Sequence, residues 1–233
     1  MADHWHRRLF EHRSALFALT TTVAISIGGL VEIVPMFTVG SGHMQELPAP
    51  YTALEVTGRD IYIREGCVNC HSQMVRPFRD ETLRYGGEWS HAVEYSWDRP
   101  FLLGSRRIGP DLHREGILRP SAVWHYRHME DPRSMSPGSV MPVYDWLITW
   151  KIDPADTQAS MQALAYVGTP YSDEEIAGAA TDMQTQAEPI LAELTGAGIE
   201  AEWDDEIIAL TAYLQRLGTD IPTETAVAEG GEL

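Results

Sequence analysis

Cys67, Cys70 and His71 form the run Cys67-Val68-Asn69-Cys70-His71. A C-x-x-C-H spacing is the pattern of a c-type haem attachment site. Two thiols three positions apart can add to the two vinyl groups on one edge of a porphyrin, and the adjacent imidazole is then held as the proximal iron ligand. A structural zinc site would need about four ligands, yet these are the chain's only two cysteines. A thioredoxin-like dithiol would need a βαβ setting, and none surrounds the motif. The expectation is one covalently bound haem c on Cys67 and Cys70, with His71 on the iron.

The second axial position is the next question. Met141 is the favoured ligand. It lies in the Gly/Pro-rich loop from Arg133 to Pro142, 70 residues after His71, where flanking prolines can hold a sulfur at a fixed place. A thioether favours reduced iron. Other ligands stay open. Met135 shares the loop, and Met74 sits close behind His71. Met161 and Met183 fall on expected helices, where packing is the usual role. His113, His125 or His128 would give a bis-histidine iron. With both axial positions filled, the expected role is electron transfer. A haem enzyme or a gas sensor would need an open or displaceable position. Arg106 and Arg107 are candidate partners for the haem propionates.

Several elements must position these residues. A helix is expected over Leu54–Gly66, leading into the motif. Tyr85, Trp89, Tyr95, Trp97 and Phe101 lie in a Gly-bearing stretch, 83–104, expected as loop or short helices whose aromatics either cover haem edges or anchor the loop itself. Ser121 is an expected N-cap for a helix ending at Glu130, before Asp131-Pro132. A helix is expected over Asp156–Val167. Ser172 with Glu175 reads as a capping box, opening a helix through about Ala180. Trp203–Leu217 carries one apolar stripe, closed by Gly218.

The N-terminal stretch is of another kind. Ser14 to Val31 is uncharged, and after Glu32 the apolar run continues to Val39. That length can cross a hydrocarbon core of about 30 Å. A cleaved leader would have a shorter apolar region and a small-residue cleavage site, so an uncleaved anchor is expected. Arg7, Arg8 and Arg13 precede it, whereas Gly40 to Thr57 holds no Lys or Arg. The positive-inside rule then puts the N-terminus in the cytoplasm and the haem motif in the periplasm, where haem is attached in bacteria. Glu32 either faces another membrane subunit or lies at headgroup level. Ser26, Gly28 and Gly29 would let a helix approach closely.

The formal net charge of −17 is uneven. Residues 1–151 hold 16 basic and 17 acidic residues, a net of −1; residues 152–233 hold one basic and 17 acidic, a net of −16. Nucleic acid is an unsuitable partner for such a surface. The single lysine, Lys151, has no explanation in the sequence.

Longer segments resemble a known family. Ser26 to Pro35, Cys67 to Phe78, Gly104 to His113, and Asp131-Pro132-Arg133-Ser134 through Met141-Pro142 together resemble the mono-haem subunit (CcoO) of cbb3-type cytochrome c oxidases. The resemblance covers about Leu16 to Gly218. It implies a mainly α fold, with one N-terminal transmembrane helix followed by a class I cytochrome c-like haem domain with loop insertions. The corresponding divisions are 1–39 (cytoplasmic stub and anchor), 40–53 (linker), 54–218 (periplasmic haem domain) and 219–233 (acidic flexible tail). As in cytochromes c, the Pro110 carbonyl in Gly109-Pro110-Asp111-Leu112 would accept a hydrogen bond from the free ring nitrogen of His71. The C-terminal helix would cross the helix before the motif.

The resemblance further implies a non-catalytic electron-transfer subunit of the inner membrane. It would take electrons from a di-haem cytochrome c subunit or a soluble cytochrome c. It would pass them to a catalytic subunit with haem b and a haem b3–copper centre, which reduces oxygen and pumps protons. A calcium ion at that interface is also implied, with Ser105 its expected contact. The alternative is the mono-haem cytochrome of another respiratory complex, such as nitric oxide reductase.

Overall fold

The structure, a computed structural model, describes residues 5–7, 10, 12–39, 47–86 and 88–219, with 35–39 by backbone alone. The chain divides into two compact units, Met1–Glu46 and Leu47–Leu233. Residues 40–46 of the expected linker, 220–233 of the expected tail, and Arg8 of the basic flank lie outside the described residues.

In the first unit, α1 runs from Ser14 to Val39, 26 residues, or about 39 Å at the α-helical rise. Its Ser14–Val34 segment is long and apolar enough to cross a membrane. Leu19, Ile25, Ile27, Leu30 and Val31 are all exposed, as a helix clothed by lipid requires. The Thr20 and Thr22 hydroxyls donate to the carbonyls of Leu16 and Ala18, each at 2.9 Å. Those polar groups therefore need no partner outside the helix. Glu32 is exposed.

The second unit is helical, with no strand among the described residues. α2 (Ala53–Arg64) begins at a capping box in which the Thr52 N–H donates to Glu55 at 2.8 Å. α3 (Arg79–Arg84) and α4 (Glu115–Leu118) are single turns. α5 (Ala122–Glu130) starts at Ser121, whose Oγ accepts from the Trp124 N–H at 3.3 Å. α6 (Pro132–Met135) is capped by Asp131. α7 (Pro154–Tyr166) is capped by Asp153, α8 spans Asp173–Gly196, and α9 spans Glu206–Arg216.

α8 runs sixteen residues past the expected end at Ala180. Met183, Ala187, Ile190 and Leu194 recur at spacings of four, three and four, and all are buried. Each large apolar side chain contributes about 1.5–3 kcal/mol on burial. Together they outweigh the roughly 3 kcal/mol cost of the missing donor at Pro189.

The core forms where α9 crosses α2, with α7 and α8 packed alongside. Gly58 makes this crossing possible. A Cβ there would stand 1.9 Å from the Ala209 carbonyl oxygen and 2.7 Å from Tyr213 Cβ. Tyr213, fully buried, meets Tyr62 of α2 with ring centroids 5.4 Å apart. Arg64 at the end of α2 pairs with Glu206 at the start of α9. Lys151 finds its role here. Its Nζ lies 2.8 Å from both Asp204 and Asp205 and also meets Glu202, tying down the acidic segment that leads into α9.

Over 83–104 the chain is loop and short helix as expected, and of the two roles open to its aromatics the structure shows loop anchoring. Tyr95 donates to the Gln73 carbonyl at 2.7 Å, Trp97 Nε1 donates to the Pro48 carbonyl at 2.5 Å, and Tyr85 accepts from the Asp111 N–H at 3.1 Å. These aromatics anchor their own loop to the body of the domain, each polar tip finding a backbone partner.

Candidate haem-binding site

α2 ends at Glu65, and Gly66 turns the chain with φ +70°, a left-handed conformation that favours glycine. A single 3₁₀ turn, Cys67–Asn69, follows. Cys67 is half-buried and Cys70 exposed. Burial, aided by the nearby Glu65 charge, pushes the Cys67 thiol up to about 12. A redox-active dithiol needs a depressed thiol, typically at a helix N-terminus. This pair instead follows a helix C-terminus, and the Cys67 thiol stays protonated.

His71 is packed against the turn that holds Pro110. Its Nδ1 lies 2.8 Å from the Pro110 carbonyl oxygen. A carbonyl only accepts, so Nδ1 carries the proton. Burial lowers the ring's pKa despite this bond. The neutral ring therefore leaves its lone pair on Nε2, the form in which imidazole binds a metal. Gly109 forms the seat of the ring: a Cβ there would lie 2.2 Å from His71 Cε1 and 2.5 Å from Nδ1.

These residues open on a cavity of about 450 Å³, within the range of small-molecule and cofactor sites. Cys67, Cys70, His71, Gly109 and Pro110 line it on one side of the sequence; the loop Ser136–Pro142 lines it on the other. Leu210 and Leu214 of α9 and Tyr62 of α2 supply apolar wall. Gly138 turns the loop at φ +84°, and the Met141 N–H donates to Ser139 Oγ at 3.2 Å. The loop's far end is fastened by the Tyr144 N–H to the Met129 carbonyl at 2.9 Å.

The ligand alternatives lie at different places in the structure. Met141 lines the cavity, whereas Met135 and Met74 do not. Met161 and Met183 are buried in the core. His113 is held by Glu94 and stacked on Tyr95 with centroids 4.6 Å apart, away from the cavity. His125 and His128 do line it, both lowered to about 4, chiefly by burial. His125 Nε2 donates to the Arg119 carbonyl at 2.9 Å, and His128 stacks on Trp124 at 4.5 Å. Met129 of α5 also reaches the wall, a thioether the sequence pattern did not single out.

Arg106, Arg107 and Ser105 are not brought to the cavity. Ser105 and Arg106 are exposed. The Arg107 guanidinium is taken up by Asp111 at 2.6 Å and by Glu81 at 3.1 Å. The cation on the cavity wall is Arg119, paired with buried Glu115 at 2.7 Å and lying 5.0 Å from the Trp124 ring centroid. Nothing local in the sequence distinguishes Arg119 from its neighbours. Tyr85, Trp89, Tyr95, Trp97 and Phe101 are likewise absent from the lining.

The donor set fits a haem: two thiols at attachment spacing, an oriented imidazole, a thioether on a fastened loop, and an apolar cavity between them. Residues 6–221 match the family model described as cytochrome c oxidase, mono-haem subunit/FixO. No curated relative matches the chain.

Proposed function

The chain belongs to the FixO family of mono-haem cytochrome c oxidase subunits, and from that premise we propose that it is the electron relay of a cbb3-type oxidase. The observation that carries this reading is the opening of Cys67, Cys70, His71 and Met141 onto one cavity. When bound, the haem supplies a one-electron iron couple.

The chain's own residues attach, orient and shield that group. Cys67 and Cys70 would hold the haem through thioether bonds, each thiol adding its sulfur and hydrogen across one vinyl group. The Pro110 carbonyl keeps Nε2 of His71 unprotonated for the iron. Met141 would hold the iron together with His71, which would leave no ligand position for oxygen or other small molecules. Leu210, Leu214 and Tyr62 keep water from one wall. Arg119 is the cation available to a propionate.

In this reading α1 is an inner-membrane anchor, 40–53 a linker, 54–218 the periplasmic haem domain and 219–233 a tail. Electrons arrive from a di-haem cytochrome c subunit or a soluble cytochrome c. They leave to the haem b and haem b3–copper subunit. Ser105, exposed after the Gly104 turn, is offered as the calcium contact at that interface.

Two measurements test the proposal. Met141→Ala abolishes the sulfur-to-iron absorption band near the red edge of the visible spectrum, while Met135→Ala retains it. A band retained in Met141→Ala moves the ligand to Met129. Purification from membranes should bring down b-type haems and copper with the chain. A complex with b haem and no copper refutes the oxidase assignment.

A further inference from the structure

The strand of chain after Cys70 and the turn that carries Pro110 are joined residue by residue. The Gly109 N–H donates to the Cys70 carbonyl at 3.1 Å, and the Leu112 N–H donates to the Ser72 carbonyl at 2.9 Å. Between these bonds sit the His71–Pro110 contact and Ser72 Oγ, which donates to Asp111 Oδ2 at 2.7 Å. Asp111 is the hub. It is fully buried and also accepts from the Met74 N–H at 2.8 Å and the His113 N–H at 2.9 Å.

Arg107 is the cation on this hub. Its Nη1 donates to Asp111 Oδ2 at 2.6 Å and also to Ser72 Oγ. Its Nη2 donates to the Met74 carbonyl and to Glu81, both at 3.1 Å. A buried ion pair is weak evidence for stability, because desolvation offsets the attraction. The chain nonetheless sets a carboxylate one residue after the carbonyl that grips His71, and a guanidinium against that carboxylate.

We propose that Asp111 and Arg107 are positioning residues for His71, and that their opposite charges set the reduction equilibrium of the iron from behind the proximal ligand. The inference rests on His71 being an axial ligand. Ferric iron carries one more positive charge than ferrous, and charges near a buried site are poorly screened. A nearby carboxylate favours the ferric state and a nearby guanidinium the ferrous state. Substitutions of nearly unchanged shape then act with opposite signs, which loosened packing cannot produce.

The test is a redox titration of the covalent haem in the full-length chain, purified in detergent. Asp111→Asn raises the reduction equilibrium constant about tenfold, and Arg107→Gln lowers it about tenfold, each about 59 mV for one electron. Arg107→Lys restores most of the loss. Arg79→Gln removes the same charge from an exposed position and leaves the constant within about twofold of wild type, as screening requires. All four variants keep the thioether-linked, low-spin haem. Unmoved constants in Asp111→Asn and Arg107→Gln, or shifts of one sign in both, overturn the inference. Where Asp111→Asn does not accumulate, the arginine pair decides: no loss in Arg107→Gln, or no recovery in Arg107→Lys, overturns it. A His71 variant with a wild-type spectrum overturns the underlying functional reading, and this inference with it.

Discussion

Replacing Gly109 by alanine should dislodge His71 while leaving the haem covalently attached. The new Cβ would lie 2.2 Å from Cε1, 2.5 Å from Nδ1 and 2.6 Å from Nε2 of the ring. Ordinary contact begins at 3.4 Å, so ring and turn must separate by about 1.2 Å. A Nδ1 to Pro110 bond of 2.8 Å cannot survive that separation. The lost bond costs about 1 kcal/mol and the overpacking about 1–3 kcal/mol. Together, about 2–4 kcal/mol corresponds to a roughly 30- to 700-fold loss in the population with His71 correctly seated. The assay is the visible spectrum of the purified full-length variant, with pyridine haemochrome formation in the unfolded protein as a count of thioether bonds. The expected result is full attachment, a partly high-spin spectrum, carbon monoxide binding on reduction, and a Tm lower by about 4–16 °C. Gly178→Ala is the control, since its Cβ meets only Asp182 at 3.7 Å on α8. A Gly109→Ala protein with a wild-type low-spin spectrum and Tm would refute the argument that this glycine seats the ligand.

Two other outcomes follow from the same geometry. Gly58→Ala places a Cβ 1.9 Å from the Ala209 carbonyl oxygen, so α2 and α9 must part. A loss of about 3 kcal/mol or more should appear in chemical denaturation, and a loss under 1 kcal/mol would contradict the close crossing. Glu94→Gln should flatten the acid limb of stability. Burial alone would raise the Glu94 carboxyl, but the bonds from His113 and Arg114 hold it at about 2 against an ordinary 4.5. A depressed carboxyl stabilises the fold above its unfolded value and loses that effect as pH falls from about 4.5 to about 2. Urea midpoints across that window should fall less steeply in the variant, and equal slopes would exclude Glu94 from the acid transition.

What could be read from the residues was local. The C-x-x-C-H spacing, the uncharged run of α1, the Ser121 cap and the Ser172–Glu175 capping box each depend on neighbours within a few positions. Their chemistry is complete without the rest of the chain. α8 continues beyond the expected Ala180, and through Pro189, because Met183, Ala187, Ile190 and Leu194 are buried against the core, which no local signal shows. The tertiary structure decided what depends on distant segments. Arg107 turned inward to Asp111 and Arg119 to the cavity, although both are arginines beside Gly/Pro turns. Lys151 acquired three carboxylates from residues some fifty positions away. Gly58 and Gly109 matter only because α9 and His71 come against them. Identity and spacing set which groups can react; which of them meet depends on backbone approaches that no single stretch encodes.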